Sequence, residues 1–244
     1  MWNLIYNGWA LPPEEDARSA RARVGSGDLL DRVKSRAGLP HPVPLSLKSI
    51  TAEHLFLLGG FVILLSGVGA DLALVLSGGE GHHVDRLSVM ANFVPAGLAF
   101  IAWGYGWRHS AVILQRRGLL LFAAFVATVF DGAVHLFAFN EHLGVPLHAA
   151  FFAVVAPAQL LGAFRFLHAG RRELALWALF TAFLVGLYGV TRSFPVLGDL
   201  EAVEGLGLLS KAAEIVVIVA LVQAARFPAA VTERPKGESP ASTA

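Results

Sequence analysis

The chain has 244 residues, 55% of them hydrophobic, 15% charged and none cysteine, with a net charge of +1. Its mean hydropathy is +0.61. These values exclude a disulfide scaffold, a disordered protein and any thiolate metal site, leave no basic field for nucleic acid, and argue against a water-soluble globule.

Residues 1–50 differ from the rest. They carry Glu14, Glu15 and Asp16, then Arg18, Arg21 and Arg23, then Pro40, Pro42 and Pro44. Trp2, Tyr6 and Trp9 open the chain without a basic n-region ahead of a long apolar core, so the start is not read as a signal peptide. Residues 27–37 can form a short amphipathic helix with Leu29, Leu30 and Val33 on one side. The segment is expected to be a cytoplasmic or interfacial arm.

A bilayer-spanning helix needs roughly 20 apolar residues. Six stretches meet this: 54–76, 87–107, 118–139, 146–168, 173–191 and 204–226. Polar, Gly or Pro residues separate them, as at Gly78-Gly79-Glu80-Gly81, Asn140-Glu141 and Gly170-Arg171-Arg172. Open strands cannot cross lipid, so the expected fold is an all-α integral membrane protein with six transmembrane helices. The expected organisation is the arm 1–50, a membrane domain 51–228, and a disordered tail 229–244.

Lys and Arg favour the cytoplasmic side. Seven precede the first span, three lie in 108–117, two in 170–172, and two follow Arg226. The alternate loops hold only Arg86 and Arg192. Both termini are therefore expected to be cytoplasmic, with 77–86, 140–145 and 192–203 outside.

An ionisable group inside a span costs roughly 2.5–3.5 kcal/mol on insertion scales, so each needs a reason. Asp131 and His135 are four residues apart in the third span and share a helix face. His148 opens the fourth span after a short loop that holds Glu141 and His142. Helices joined so briefly are neighbours, so Asp131, His135 and His148 can converge. Two imidazoles and a carboxylate suit copper, iron or zinc. Phe130, Phe137, Phe139, Phe151 and Phe152 in the same segment would keep such a site dry. The alternatives are an Asp–His pair that glues two helices, and a proton relay. In the last span Lys211 and Glu214, three apart, can neutralise each other. Asp71 and Asn92 are candidate supporting partners. His109 and His168, among arginines, read as headgroup contacts.

Asp131-Gly132-x-x-His135, ten residues, then Pro146-x-His148 resembles the third-to-fourth helix signature of the C-type subunit of the copper membrane monooxygenases. That family comprises the particulate methane, ammonia and related hydrocarbon monooxygenases. Pro157 falls where the family has a proline, and Trp103-Gly104-Tyr105-x-Trp107-Arg108 is similar to its Trp-Gly-Tyr-x-Trp-Lys/Arg motif. The motifs cover about 85–170, and the six-helix plan extends the resemblance over 54–226. It implies copper held by Asp131, His135 and His148. It also implies assembly with A-type and B-type subunits as a trimer of heterotrimers in a bacterial cytoplasmic or intracytoplasmic membrane. The complex would oxidise ammonia, methane or a short alkane with O₂. The family's second cluster, Asn-x-x-x-His and a later His, has no counterpart: 190–211 holds no histidine, and Lys211 stands about where the last would be. A metal-ion or proton transporter and a structural membrane component are the competing functions.

Overall fold

Backbone N–H and C=O groups in hydrocarbon must be satisfied within the protein, and among the described residues regular structure is entirely helical. The computed structural model describes residues 50–77, 83–194 and 203–227, the backbone alone for 83–85. The expected arm, apart from Ile50, the expected tail, and residues 78–82 and 195–202 of the connecting segments lie outside the described residues.

Six helices are long and apolar enough to cross a membrane. They are α1 (Ala52–Ser77), α2 (His83–Arg108), α3 (Arg116–Glu141), α4 (Pro146–Gly162), α5 (Arg171–Ser193) and α6 (Gly205–Ala224). A 3₁₀ segment, Ala163–His168, extends α4, and one helical turn, Ser110–Ile113, precedes α3. The bounds agree with the expected spans to within a few residues. The protein is an all-α integral membrane protein of six spans.

α3 is the hub. In its apolar window 56% of residues are buried, against 22–39% in the other five. It touches α1, α2, α4 and α6. The other helices turn large apolar side chains outward, among them Leu58, Leu65, Leu179, Phe183 and Val219, as a lipid-facing surface requires.

Without a hydrophobic force between helices in lipid, small residues that let backbones approach decide the packing. α1 and α2 meet through glycines. A Cβ on Gly97 would lie 2.8 Å from the Gly60 carbonyl oxygen, and one on Gly104 2.7 Å from that of Glu53. In the Trp-Gly-Tyr motif, Gly104 thus seats α2 on α1. Tyr105 is fully buried, stacks on Phe125 at 3.9 Å between ring centroids, and donates to the Phe164 carbonyl at 3.3 Å. Trp103 and Trp107 are exposed, as an interfacial aromatic belt would have them.

At the end that carries the connections after α1, α3 and α5 (the far end), fully buried Asp71 ties three helices. Arg86 of α2 donates to it through Nε at 2.6 Å and Nη2 at 3.3 Å, and Asn140 of α3 at 2.9 Å. Asp71 therefore belongs to a staple of its own. Asn92 only donates to the Ser88 carbonyl one turn back.

At the opposite end His109 packs on Tyr105, with centroids 4.7 Å apart, and on His168 at 5.6 Å, so these histidines make ring contacts within the protein. Burial, then His168 and Arg108, push His109 down from 6.5 to about 4. The unfolded ring takes its proton near 6.5, so the stability this neutral ring contributes is complete above about 6.5 and lost as pH falls through about 4. Thermal stability in detergent should decline across that window, and His109→Asn should flatten the decline. Gly97→Val should cost about 1–3 kcal/mol by overpacking α1 against α2, seen as a lower melting temperature. Gly69→Ala, with nothing within 4 Å of its Cβ, is the control expected to be silent.

Candidate metal centre

The α-helical period sets Asp131 and His135 one turn apart on the inward side of α3, exposed by only 1% and 6%. Gly132 between them lets α4 approach: a Cβ there would meet Leu160 Cγ at 2.9 Å and the Ala156 carbonyl oxygen at 3.3 Å. This contact delivers Gln159 of α4 to both residues. Gln159 Nε2 donates to Asp131 Oδ2 at 2.5 Å, and Gln159 Oε1 lies 2.6 Å from His135 Nδ1.

That geometry sets the histidine's tautomer. The amide nitrogen is committed to the carboxylate, so the amide oxygen faces the ring, and Nδ1–H must be the donor. A neutral His135 then keeps the Nε2 lone pair, the arrangement by which outer partners prepare an imidazole as a metal ligand. His135 Nδ1 is 3.9 Å from Asp131 Oδ2, so the amide carries the link between them.

α6 closes the site from the other side. Ser210 Oγ donates to Asp131 Oδ1 at 2.5 Å. Glu214, fully buried, joins the set: Asp131, His135 and Glu214 each offer a ligand atom, all within 4.8 Å of one another. Lys211 Nζ donates to Glu214 Oε1, so the expected Lys211–Glu214 pair forms. With both carboxylates ionised, Asp131, Glu214 and Lys211 sum to one negative charge, which a proton or an added cation must balance in so buried a place. One imidazole and two carboxylates, without sulfur, make a donor set that copper(II), iron(II) or zinc fits.

His148 stands outside that close set. It lies at the start of α4, its ring centroid 5.1 Å from that of His142, whose Nδ1 is 2.9 Å from the Ala138 carbonyl oxygen. His135 and His148 nonetheless line one cavity of about 340 Å³, together with Ser210, Lys211, Tyr188 and Phe152. Phe151 lines it as well, whereas Phe130 and Phe137 line a second cavity of about 650 Å³ beside Arg86 and Pro95. The expected apolar wall is thus divided between two cavities.

Two members escaped sequence reasoning. Gln159 is a lone amide in the apolar run 151–164, and Ser210 precedes Lys211; both signals are faint, since polar residues of this kind also back-bond within their own helix. Glu214 was legible as the partner of Lys211 and, in the transporter alternative, as a further member beside Asp131, His135 and His148, but no short loop announces that α6 packs on α3.

No family model, curated protein or solved structure matches the chain.

Replacing Gln159 by Leu should leave the buried Asp131 carboxylate short of a donor and lower unfolding stability by about 2–3 kcal/mol. Asn92→Leu, which disturbs only a local bond on an exposed face, should change it by less than about 0.5 kcal/mol. Reversible SDS unfolding of the purified protein reads both.

Proposed function

We propose that this chain is the metal-binding integral membrane component of a complex similar to the copper membrane monooxygenases. The observation that carries this is the relay Asp131–Gln159–His135, which fixes an imidazole within a buried set of two carboxylates beside a cavity and leaves its Nε2 lone pair free. Asp131 and His135 would hold the ion in common with the family resemblance. Glu214 is the further donor supported by geometry, and His148, on the wall of the same cavity, is the one supported by the resemblance.

Copper, when bound, supplies the electron transfer and oxygen chemistry that side chains alone lack. The chain's own residues do the rest. Asp131 and Gln159 orient the ring, Ser210 holds the carboxylate's second oxygen, and Phe151 and Phe152 give the cavity an apolar wall suited to a small apolar substrate. A-type and B-type partners would supply electrons, in a trimer of heterotrimers in a bacterial cytoplasmic or intracytoplasmic membrane. A structural reading has one observation in its favour: Asp131 already takes hydrogen bonds from α4 and α6, which is enough to lock three helices without an ion.

Elemental analysis of protein purified gently from copper-replete membranes separates these. About one copper per chain is expected, lost in Asp131→Ala and His135→Ala and weakened at least about tenfold in Glu214→Gln and His148→Ala. Absence of copper, iron and zinc from both the native chain and Lys211→Met would establish the structural reading. For orientation, the chain's lack of cysteine makes single labels clean. Glu80→Cys should react from outside and Gln115→Cys from the cytoplasm, and the reverse would overturn the proposed topology.

A further inference from the structure

Lys211 belongs to no conventional metal site, yet it sits in this one. Its ammonium donates to Glu214, one of the three residues whose ligand atoms cluster within 4.8 Å. Its side chain is only 13% exposed. It lines the cavity beside His135, and its Nζ lies 5.4 Å from the Tyr188 ring centroid.

Two properties of lysine matter. The charge sits on a flexible four-carbon stem, so it can move by several ångströms without backbone motion. An ammonium is also drawn to the face of an aromatic ring, strongly so where water is scarce. The ammonium is thus already within reach of the Tyr188 ring while it holds Glu214, and the Arg192 guanidinium lies over that ring at 4.2 Å, so its room to move is the cavity itself. An ammonium on Glu214 and a dication at Asp131 and His135 would repel each other across a few ångströms of low-dielectric interior.

We propose that Lys211 is a tethered counter-ion of the metal centre: its ammonium holds Glu214 while the centre is empty, then yields that carboxylate to the incoming metal ion and withdraws into the cavity it lines. The inference rests on Asp131, His135 and Glu214 being a metal set. Its consequence is that Lys211 sets the affinity of the centre. The empty site keeps a cation on its carboxylate, and only an ion that gains more from these donors than the ammonium does can displace it.

The test uses the full chain in lipid nanodiscs, titrated with copper(II) against a competing chelator. Lys211→Met should bind copper at least about tenfold more tightly than the native chain, because the competing cation is gone. In a Glu214→Gln background the same substitution should change affinity little, since the carboxylate they share has been removed. A second readout needs no variant. Copper loading of the native chain should raise the reaction of Lys211 with a small amine reagent several-fold, located by peptide mass spectrometry.

Copper binding by the native chain with unchanged or weaker affinity in Lys211→Met would overturn the counter-ion role and leave the centre standing. So would copper loading without faster Lys211 labelling, which decides the matter even if Lys211→Met does not fold. Copper bound by Lys211→Met and not by the native chain would support the competition and make the ammonium the resident cation. Copper bound by neither would remove the metal set itself.

Discussion

A carboxylate buried among six apolar helices has no water to turn to. Asp131 is 1% exposed, and everything around it follows from that constraint. Each oxygen takes a donor from a different helix: Gln159 of α4 on one, Ser210 of α6 on the other. One side chain thus makes α3 the hub that α4 and α6 must flank, and Gly132 supplies the room for α4 to do so. Leaving such a charge unpaired would cost several kcal/mol, comparable to the whole stability of many domains. The donors that satisfy Asp131 are therefore structural whatever else they do, and their geometry prepares His135 for an ion without any further ordering.

The far-end staple works by the same physics with a different outcome. Asp71 is as buried as Asp131, but Arg86 grips it with two nitrogens and Asn140 adds a third donor. Arg86 also reaches Glu141 at 3.9 Å, on the wall of the second cavity, so the guanidinium serves both carboxylates directly. At Asp131 the only full positive charge close by among the described residues is Lys211, committed to Glu214, and with both carboxylates ionised one negative charge is left for a proton or a cation to balance. Asp71 is gripped directly by a guanidinium, whereas Asp131 takes only neutral donors and lies beside His135 and Glu214 in one close set, which is why the second, and not the first, is the candidate centre.

The sequence carried the membrane architecture because hydrophobic length and helix punctuation are local signals. Asp131 and His135 were legible through the helical period alone. The neighbour across α3–α4 was legible through loop length, and it brought the helix correctly but a different residue to the centre: Gln159, deep in α4, rather than His148 at its start. Depth along a helix depends on how closely two backbones approach, and that is set by Gly132 against Leu160, a contact no spacing rule reveals. Ser210, and the placing of Glu214 against Asp131 and His135, were out of reach for a stronger reason. α6 packs on α5, which precedes it in the chain, and also on α3, and this second pairing across distant segments leaves no mark in local composition.

Pulsed electron paramagnetic resonance on the copper(II)-loaded chain tests the central claim most directly, because it sees the ligands themselves. A centre built on Asp131 and His135 predicts the remote-nitrogen signature of a bound imidazole, with nitrogen and oxygen donors, and its weakening or loss from the residual copper signal in His135→Ala. A copper signal whose imidazole signature is unchanged in His135→Ala would place the ion elsewhere and contradict that centre.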